Sequence, residues 1–260
     1  MAQNPVIGRF GRASGGENTP TAADLQVMFD KPAYAGARPI TRYMTLDDVV
    51  VRTAAMLGTI VVTGALAWFA LPDRLFLPVL FISLMASLGL GLYMAFTMRV
   101  KAPTALLYSA FEGVLLGAIS HAFEQRWPGI VVQAVTGTIM VAASMLFIYK
   151  IGAIRVTPRF TRVVVGATIG VFGLMVVNML AYLFTPDGLG LRAGGAWAII
   201  FSLICIVVAS MNLVMDFDFI ERGIRQGAPQ QLAWYAAFGL TVTLVWLYIE
   251  ILRLLGYARR

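Results

Sequence analysis

Residues 196–215 read AWAIIFSLICIVVASMNLVM, twenty residues in a row without a charged side chain. A helix of that length covers about 30 Å, which is the thickness of the hydrocarbon core of a bilayer. Six further stretches are also long and largely apolar, and they cover 49–71, 75–98, 103–123, 130–151, 163–184 and 232–255. Short connections rich in Pro and Gly separate them, so consecutive helices are antiparallel neighbours. The sequence predicts an all-α integral membrane protein, a bundle of seven transmembrane helices.

The composition supports a membrane protein over a soluble one. Of the 260 residues, 59% are hydrophobic and only 13% are charged, whereas soluble domains carry about 25% charged residues. Residues 1–44 are different, being rich in Gly, Ala, Pro, Thr and Arg, and we expect a disordered cytoplasmic tail there. Residues 45–260 form the predicted transmembrane domain. Thr45 and Asp48 have the spacing of a capping box, so the first helix is expected to start beside them.

The distribution of basic residues predicts the orientation of the bundle. Of the 20 Lys and Arg residues, 14 fall in the tail or at one side of the seven stretches. Cytoplasmic loops carry this excess, so the N-terminus is predicted to be cytoplasmic and the C-terminus outside. Topology therefore explains the net charge of +7, and a nucleic-acid partner is not required. The expected partner is the lipid bilayer.

Glu112 is the main candidate for chemistry within the membrane. It follows Pro103 by nine residues, which places it about 14 Å into the bilayer, near the midplane. An ionisable group at that depth costs about 3 kcal/mol or more. It is either a protonated carboxyl bonded to a neighbouring helix or a cation or proton site facing the interior. Gly113 and Gly117 have the spacing of small residues that lets another helix approach closely, so they place Glu112 at a helix contact.

Further charged residues lie near the helix ends. Asp216 and Asp218 end the sixth predicted helix, and Arg99 ends the second at the same depth, so contact between Arg99 and Asp216 is geometrically possible. Glu250, near the outer end of the seventh helix, is expected to form an ion pair with Arg253 one turn away.

No enzymatic signature is present in the sequence. It contains no phosphate-binding Gly-rich loop, no HExxH and no GxSxG. None of its lysines, at 31, 101 and 150, lies deep enough to form a retinal Schiff base. We therefore predict a protein that is not an enzyme and has no resident cofactor, although Ca²⁺ or H⁺ could bind transiently.

Four stretches, read in order on a seven-helix chain, resemble the Bax inhibitor family (the transmembrane Bax inhibitor motif proteins), and especially its bacterial branch. They are 98–99 (MR), 108–117 (YSAFEGVLLG), 215–221 (MDFDFIE) and 247–256 (LYIEILRLLG). The similarity covers about residues 45–257. It implies a seven-helix bundle with a central last helix, a location in the inner (plasma) membrane and a pH-sensitive calcium leak.

The resemblance also implies functional residues. In the family an aspartate of helix six pairs with an aspartate of helix seven to sense pH, and an arginine after helix two latches the closed state. Asp216 matches the first aspartate and Arg99 matches the arginine. The partner on helix seven is Glu250 if the local motif is aligned, or Thr243 if membrane depth is respected, and depth is the stronger constraint. On that alignment the paired-acid sensor is altered, and Glu112 is the candidate to replace it.

The sequence leaves three functions open. The first is a pH-sensitive cation leak, with Ca²⁺ as the expected ion. The second is a scaffold that binds other membrane proteins without transport. The third is a proton-coupled carrier of a small solute that uses Glu112.

Overall fold

The computed structural model describes residues 26, 42–70, 72–98, 100–186 and 188–259. The chain divides into two compact units, Met1–Thr41 and Arg42–Arg260. The predicted disorder of the tail concerns residues that lie, apart from Gln26 and 42–44, outside the described ones. Residues 42–44 belong to the second unit, because the Met44 side chain is buried and its N–H donates to the carbonyl of Ala228 at 2.8 Å.

The second unit contains seven long α-helices and, among its described residues, no β-strand. The helices are α1 Leu46–Ala70, α2 Phe76–Thr97, α3 Ala102–Arg126, α4 Ile130–Lys150, α5 Pro158–Ala181, α6 Ala196–Arg225 and α7 Leu232–Ala258. Each is long and apolar enough to cross a membrane. The predicted fold class of seven transmembrane helices is confirmed, whereas the orientation of the termini stays a prediction.

Local sequence explains where the helices begin. The Asp48 N–H donates to the Thr45 hydroxyl, and the Thr45 N–H donates to the Asp48 carboxylate, both at 3.2 Å. This is the expected capping box at the start of α1. At α5 the Thr157 hydroxyl accepts from the Phe160 N–H, and Pro158 occupies the first helical position, where no N–H is needed.

The sixth helix is longer than the sequence predicts. It continues ten residues past the predicted end at 215, to Arg225, and its 30 residues make it about 45 Å long. In the sequence, the charged side chains after Met215 predict the end of the helix. They mark the edge of the apolar segment instead, because a helix satisfies its own backbone hydrogen bonds in lipid and in water alike. Asp216 and Asp218 therefore lie within a continuous helix.

The last helix lies in the centre of the bundle. α7 packs against α1, α3, α4 and α6, while α2 packs on α3 and α5 packs on α6 at the periphery. Buried side chains occur along the whole length of α7, from Ala233 to Gly256. Large apolar side chains such as Phe69 and Phe96 instead point outward, as a bilayer requires.

Candidate functional site

Asp216 of α6 faces α7 near the end of the bundle that carries most of the basic residues. The Thr243 hydroxyl donates to the Asp216 carboxylate over 2.7 Å. Gly239, one turn earlier on α7, lies beside the other carboxylate oxygen, which would be 3.5 Å from a Cβ atom built at this position. No Lys or Arg among the described residues forms an ion pair with Asp216. The structure thus brings Asp216 together with Thr243, the residue of the last helix that membrane depth indicates as its partner.

Glu112 lies in the interior on α3. Its residue is only 9% exposed, and the nearby hydroxyl of Ser87 on α2 donates to the carbonyl of Leu84 over 3.3 Å. Tyr108, one turn earlier, is also buried and packs edge-on against Phe238 of α7 with ring centroids 5.2 Å apart. Like Asp216, Glu112 lies near a hydroxyl group and forms no ion pair with any described residue.

Two glycines hold α3 against α1 beside Glu112. A Cβ atom built on Gly117 would lie 2.7 Å from the Cα atom of Gly64, and one built on Gly113 would lie 2.5 Å from the carbonyl oxygen of Ile60. Both obstacles are backbone atoms, which cannot move aside as a side-chain tip can. The close approach predicted from the spacing of Gly113 and Gly117 is present, and it fixes the rotation of the helix that carries Glu112.

Glu250 is the most deeply buried acid, and its principal partner is not the predicted one. Only 1% of it is exposed, and its carboxylate lies 2.8 Å from Nη2 of Arg192 and 3.9 Å from Nη1 of Arg253. Arg192 belongs to the α5–α6 connection and packs its guanidinium over the ring of Phe201. The predicted Glu250–Arg253 pair is present only as the longer contact. The sequence does not reveal Arg192 as this partner because 58 residues separate it from Glu250.

The acids that follow Asp216 on α6 are already neutralised. Asp218 lies 2.6 Å from Nε of Arg222, one turn later, and Glu221 lies 3.5 Å from a guanidinium nitrogen of Arg225. The Tyr149 hydroxyl of α4 also donates to Glu221. Asp218, a secondary candidate in the sequence, is therefore one half of an ordinary ion pair within a helix.

Arg99 lies outside the described residues, so its predicted contact with Asp216 stays a prediction. The residue before it, Met98, ends α2 in the left-handed conformation, with a φ of 51°. Among the described residues no group of three His, Cys, Asp or Glu side chains could hold a metal ion. Any bound cation would therefore meet single carboxylates together with hydroxyl and carbonyl oxygens.

The chain is a polytopic α-helical membrane protein: α7 lies at the centre of its seven spanning helices, and two interior acids form no ion pair with any described residue. The sequence model of the family described as Bax inhibitor 1 like matches residues 4–260. The chain therefore belongs to the Bax inhibitor 1 like family. The match includes most of the N-terminal tail, beyond the 45–257 of the resemblance found by inspection. No curated protein matches the chain.

Proposed function

We propose that this family member is a pH-sensitive cation leak channel for Ca²⁺ in the inner membrane of a bacterium. One observation supports the proposal: Glu112 and Asp216 both lie inside the bundle, each beside a hydroxyl group, and neither forms an ion pair with a described residue. An acid inside a membrane protein without a paired cation is by default a functional group, because its charge is expensive to hold there. A proton or a passing cation supplies the missing positive charge.

The two acids have different roles in this proposal. Asp216 joins α6 to the central helix at one end of the bundle, so it controls whether that end is closed. Thr243 presents a hydroxyl to it where the family resemblance implies a second carboxylate, so no like charge there makes protonation easier. We therefore assign pH sensing to Glu112. Ca²⁺ favours oxygen ligands, and carboxylate, hydroxyl and carbonyl oxygens are the ones available along this path.

Purified protein in liposomes tests the proposal directly. Vesicles that contain only this chain and a trapped Ca²⁺ indicator should admit Ca²⁺, and mild acidification should change the rate. Glu112→Gln should insert and fold normally yet lose most of the pH dependence, because an amide of the same shape does not titrate. Glu221→Gln, which removes an acid already paired with Arg225, is the matched control and should keep the wild-type pH response.

The same measurement separates the alternatives. A folded wild-type protein without Ca²⁺ flux would contradict the channel and favour a scaffold that binds other membrane proteins. Proton uptake that requires an added solute, without Ca²⁺ flux, would favour a proton-coupled carrier. Flux with an unchanged pH response in Glu112→Gln would leave Glu112 as a packing residue.

A further inference from the structure

A cleft runs between α1 and α4 along most of their length. Its apolar half, about 770 Å³ in volume, has walls formed by α1 and α4 and a floor formed by α3 and α7. A second cavity, of about 810 Å³, continues between the start of α1 and the end of α4, with α6 as its floor. Phe217 lines both cavities, so this one side chain stands between them.

The apolar half has the dimensions of a lipid chain. Its lining on α4 extends from Val131 to Leu146, which is about 22 Å of helix. One leaflet supplies only about 15 Å of hydrocarbon, half of the bilayer core. The lining is longer than one leaflet is thick. A single long acyl chain that enters at the Leu146 end and follows the lining would therefore pass the midplane. The cleft opens between two faces that carry exposed apolar side chains, such as Val61 and Ile139, so its surroundings are lipid.

The other half presents unmatched positive charge. Lys150 and Arg155 line it, and neither forms an ion pair with any described residue. The two acids in its lining are already neutralised, Asp218 by Arg222 and Glu221 by Arg225. Lys150 lies one turn, about 6 Å, beyond Leu146, so a charged group can sit there while an attached chain fills the apolar half. Ammonium and guanidinium groups bind phosphate oxygens strongly.

We propose that the α1–α4 cleft binds one anionic phospholipid, with its phosphate at Lys150 and Arg155 and one acyl chain along α4. Both cationic residues lie on the side predicted to be cytoplasmic, where anionic lipids attract basic side chains. The inference goes beyond cation transport, and its test does not measure flux. Any apolar cleft that opens to lipid takes up some lipid chain. What distinguishes this cleft is therefore its selection of an anionic headgroup.

Native mass spectrometry of the full chain in a neutral detergent tests this selection. The protein is titrated with dioleoyl phosphatidylglycerol or with dioleoyl phosphatidylcholine, which have the same chains and differ in net charge. One phosphatidylglycerol should bind at least about tenfold more tightly than phosphatidylcholine. Lys150→Gln with Arg155→Gln should reduce phosphatidylglycerol binding to the phosphatidylcholine level. Arg159→Gln with Arg162→Gln, which removes two exposed charges outside the cleft, should leave it unchanged.

A second pair of variants tests the chain site. Ala143→Trp fills the apolar half and should abolish the bound lipid, while Ser144→Trp, exposed and outside the lining, should not. Excess glycerol phosphate should fail to displace the lipid, because it lacks the chain. Equal binding of the two lipids to the wild type, or retention of phosphatidylglycerol by folded Ala143→Trp, would overturn the proposal. A dimer that persists at saturating lipid and is lost in Ala143→Trp would assign the cleft to a second copy of the chain and overturn it as well.

Discussion

Two acids on opposite sides of the same interior have contrasting partners. Glu250 is held by Arg192 at 2.8 Å, and Arg253 lies nearby, so its charge is compensated within the protein. Asp216 accepts a hydrogen bond from the Thr243 hydroxyl at 2.7 Å and has no ion pair among the described residues. Thr243 and Glu250 are seven residues apart on α7, about 10 Å along the helix. The central helix therefore carries Glu250, which is paired with Arg192, and contacts Asp216, which has no ion pair among the described residues.

The contrast between the partners of Glu250 and Asp216 shows that burial alone does not identify a functional acid. Glu250 is the more buried of the two, yet its ion pair gives it a structural explanation. A buried pair contributes little net stability when both partners are present, but losing one partner is costly because the other charge stays behind. Glu250 should therefore matter for folding, and Asp216 for the passage of ions.

The largest expected effect tests which of the two acids lies near the cytoplasm. A reporter that is active only in the cytoplasm should work when fused after Lys150 and should fail when fused after Arg260. The predicted orientation requires this all-or-none difference, because three helices separate the two positions. Activity at both positions would mean that the seven-helix topology is wrong in the membrane.

The next effect is on stability at the Glu250 end. Arg192→Ala should destabilise the protein by about 3 kcal/mol, because it leaves a buried carboxylate without its partner. Thermal unfolding in detergent measures the loss. Arg253→Ala, which removes the longer and more exposed contact, should cost no more than about 1 kcal/mol. Replacing the pair by Arg192→Met with Glu250→Leu should recover most of the lost stability. Equal losses in the two single variants would contradict a dominant Arg192–Glu250 pair.

A moderate effect on ion flux is expected at the Asp216 end. Asp216→Asn and Arg99→Ala should each raise the resting Ca²⁺ leak by about tenfold, corresponding to about 1.5 kcal/mol lost from the closed state. The double variant should leak no more than either single one, since both remove the same interaction. Leak measurements in liposomes decide between the outcomes. If the two effects on the opening free energy add, the residues act independently and there is no latch between them.

The smallest effect concerns the hydroxyl that Asp216 contacts. Thr243→Val keeps the shape of the side chain and removes the donor, so the leak should rise by less than in Asp216→Asn, about fivefold for about 1 kcal/mol. Thr241→Val is the matched control on the same helix, because that buried hydroxyl makes only a 3.9 Å contact with the sulfur of Met56. A larger leak in Thr241→Val than in Thr243→Val would separate Asp216 from the closure of this end.

The parts of the fold that the sequence predicts are those with local causes. Each spanning segment is apolar along its own length, and the capping box at Thr45 and Asp48 joins residues only three positions apart. The close helix approach at Gly113 and Gly117 could also be predicted from the sequence, because small residues one turn apart leave a groove on one helix. The sequence could not predict that α1 is the partner helix, since nothing local specifies which helix enters that groove.

The parts that could not be predicted depend on long-range contacts. Arg192 lies in a Gly-rich connection whose one acid in the sequence is Asp187, five positions earlier, so nothing local points to Glu250 as its partner. Which distant acid it meets depends on how α6 and α7 pack. The Thr243–Asp216 contact was reachable because depth in the membrane is a coordinate that the sequence supplies for both residues. The α1–α4 cleft had no such signal, because it is a space that several helices leave between them.

The central position of α7 has a consequence for biosynthesis. All of the helices that α7 contacts, α1, α3, α4 and α6, precede it in the chain and leave the ribosome first. Until α7 inserts, the helix faces that will surround it lack their packing partner. Arg192 also lacks the carboxylate of Glu250, with which it pairs in the folded protein. The six earlier helices can span the membrane one by one, but they cannot complete the core among themselves. The core described here is therefore completed only when α7 inserts, and a chain interrupted before residue 232 has membrane-inserted helices without their central packing partner.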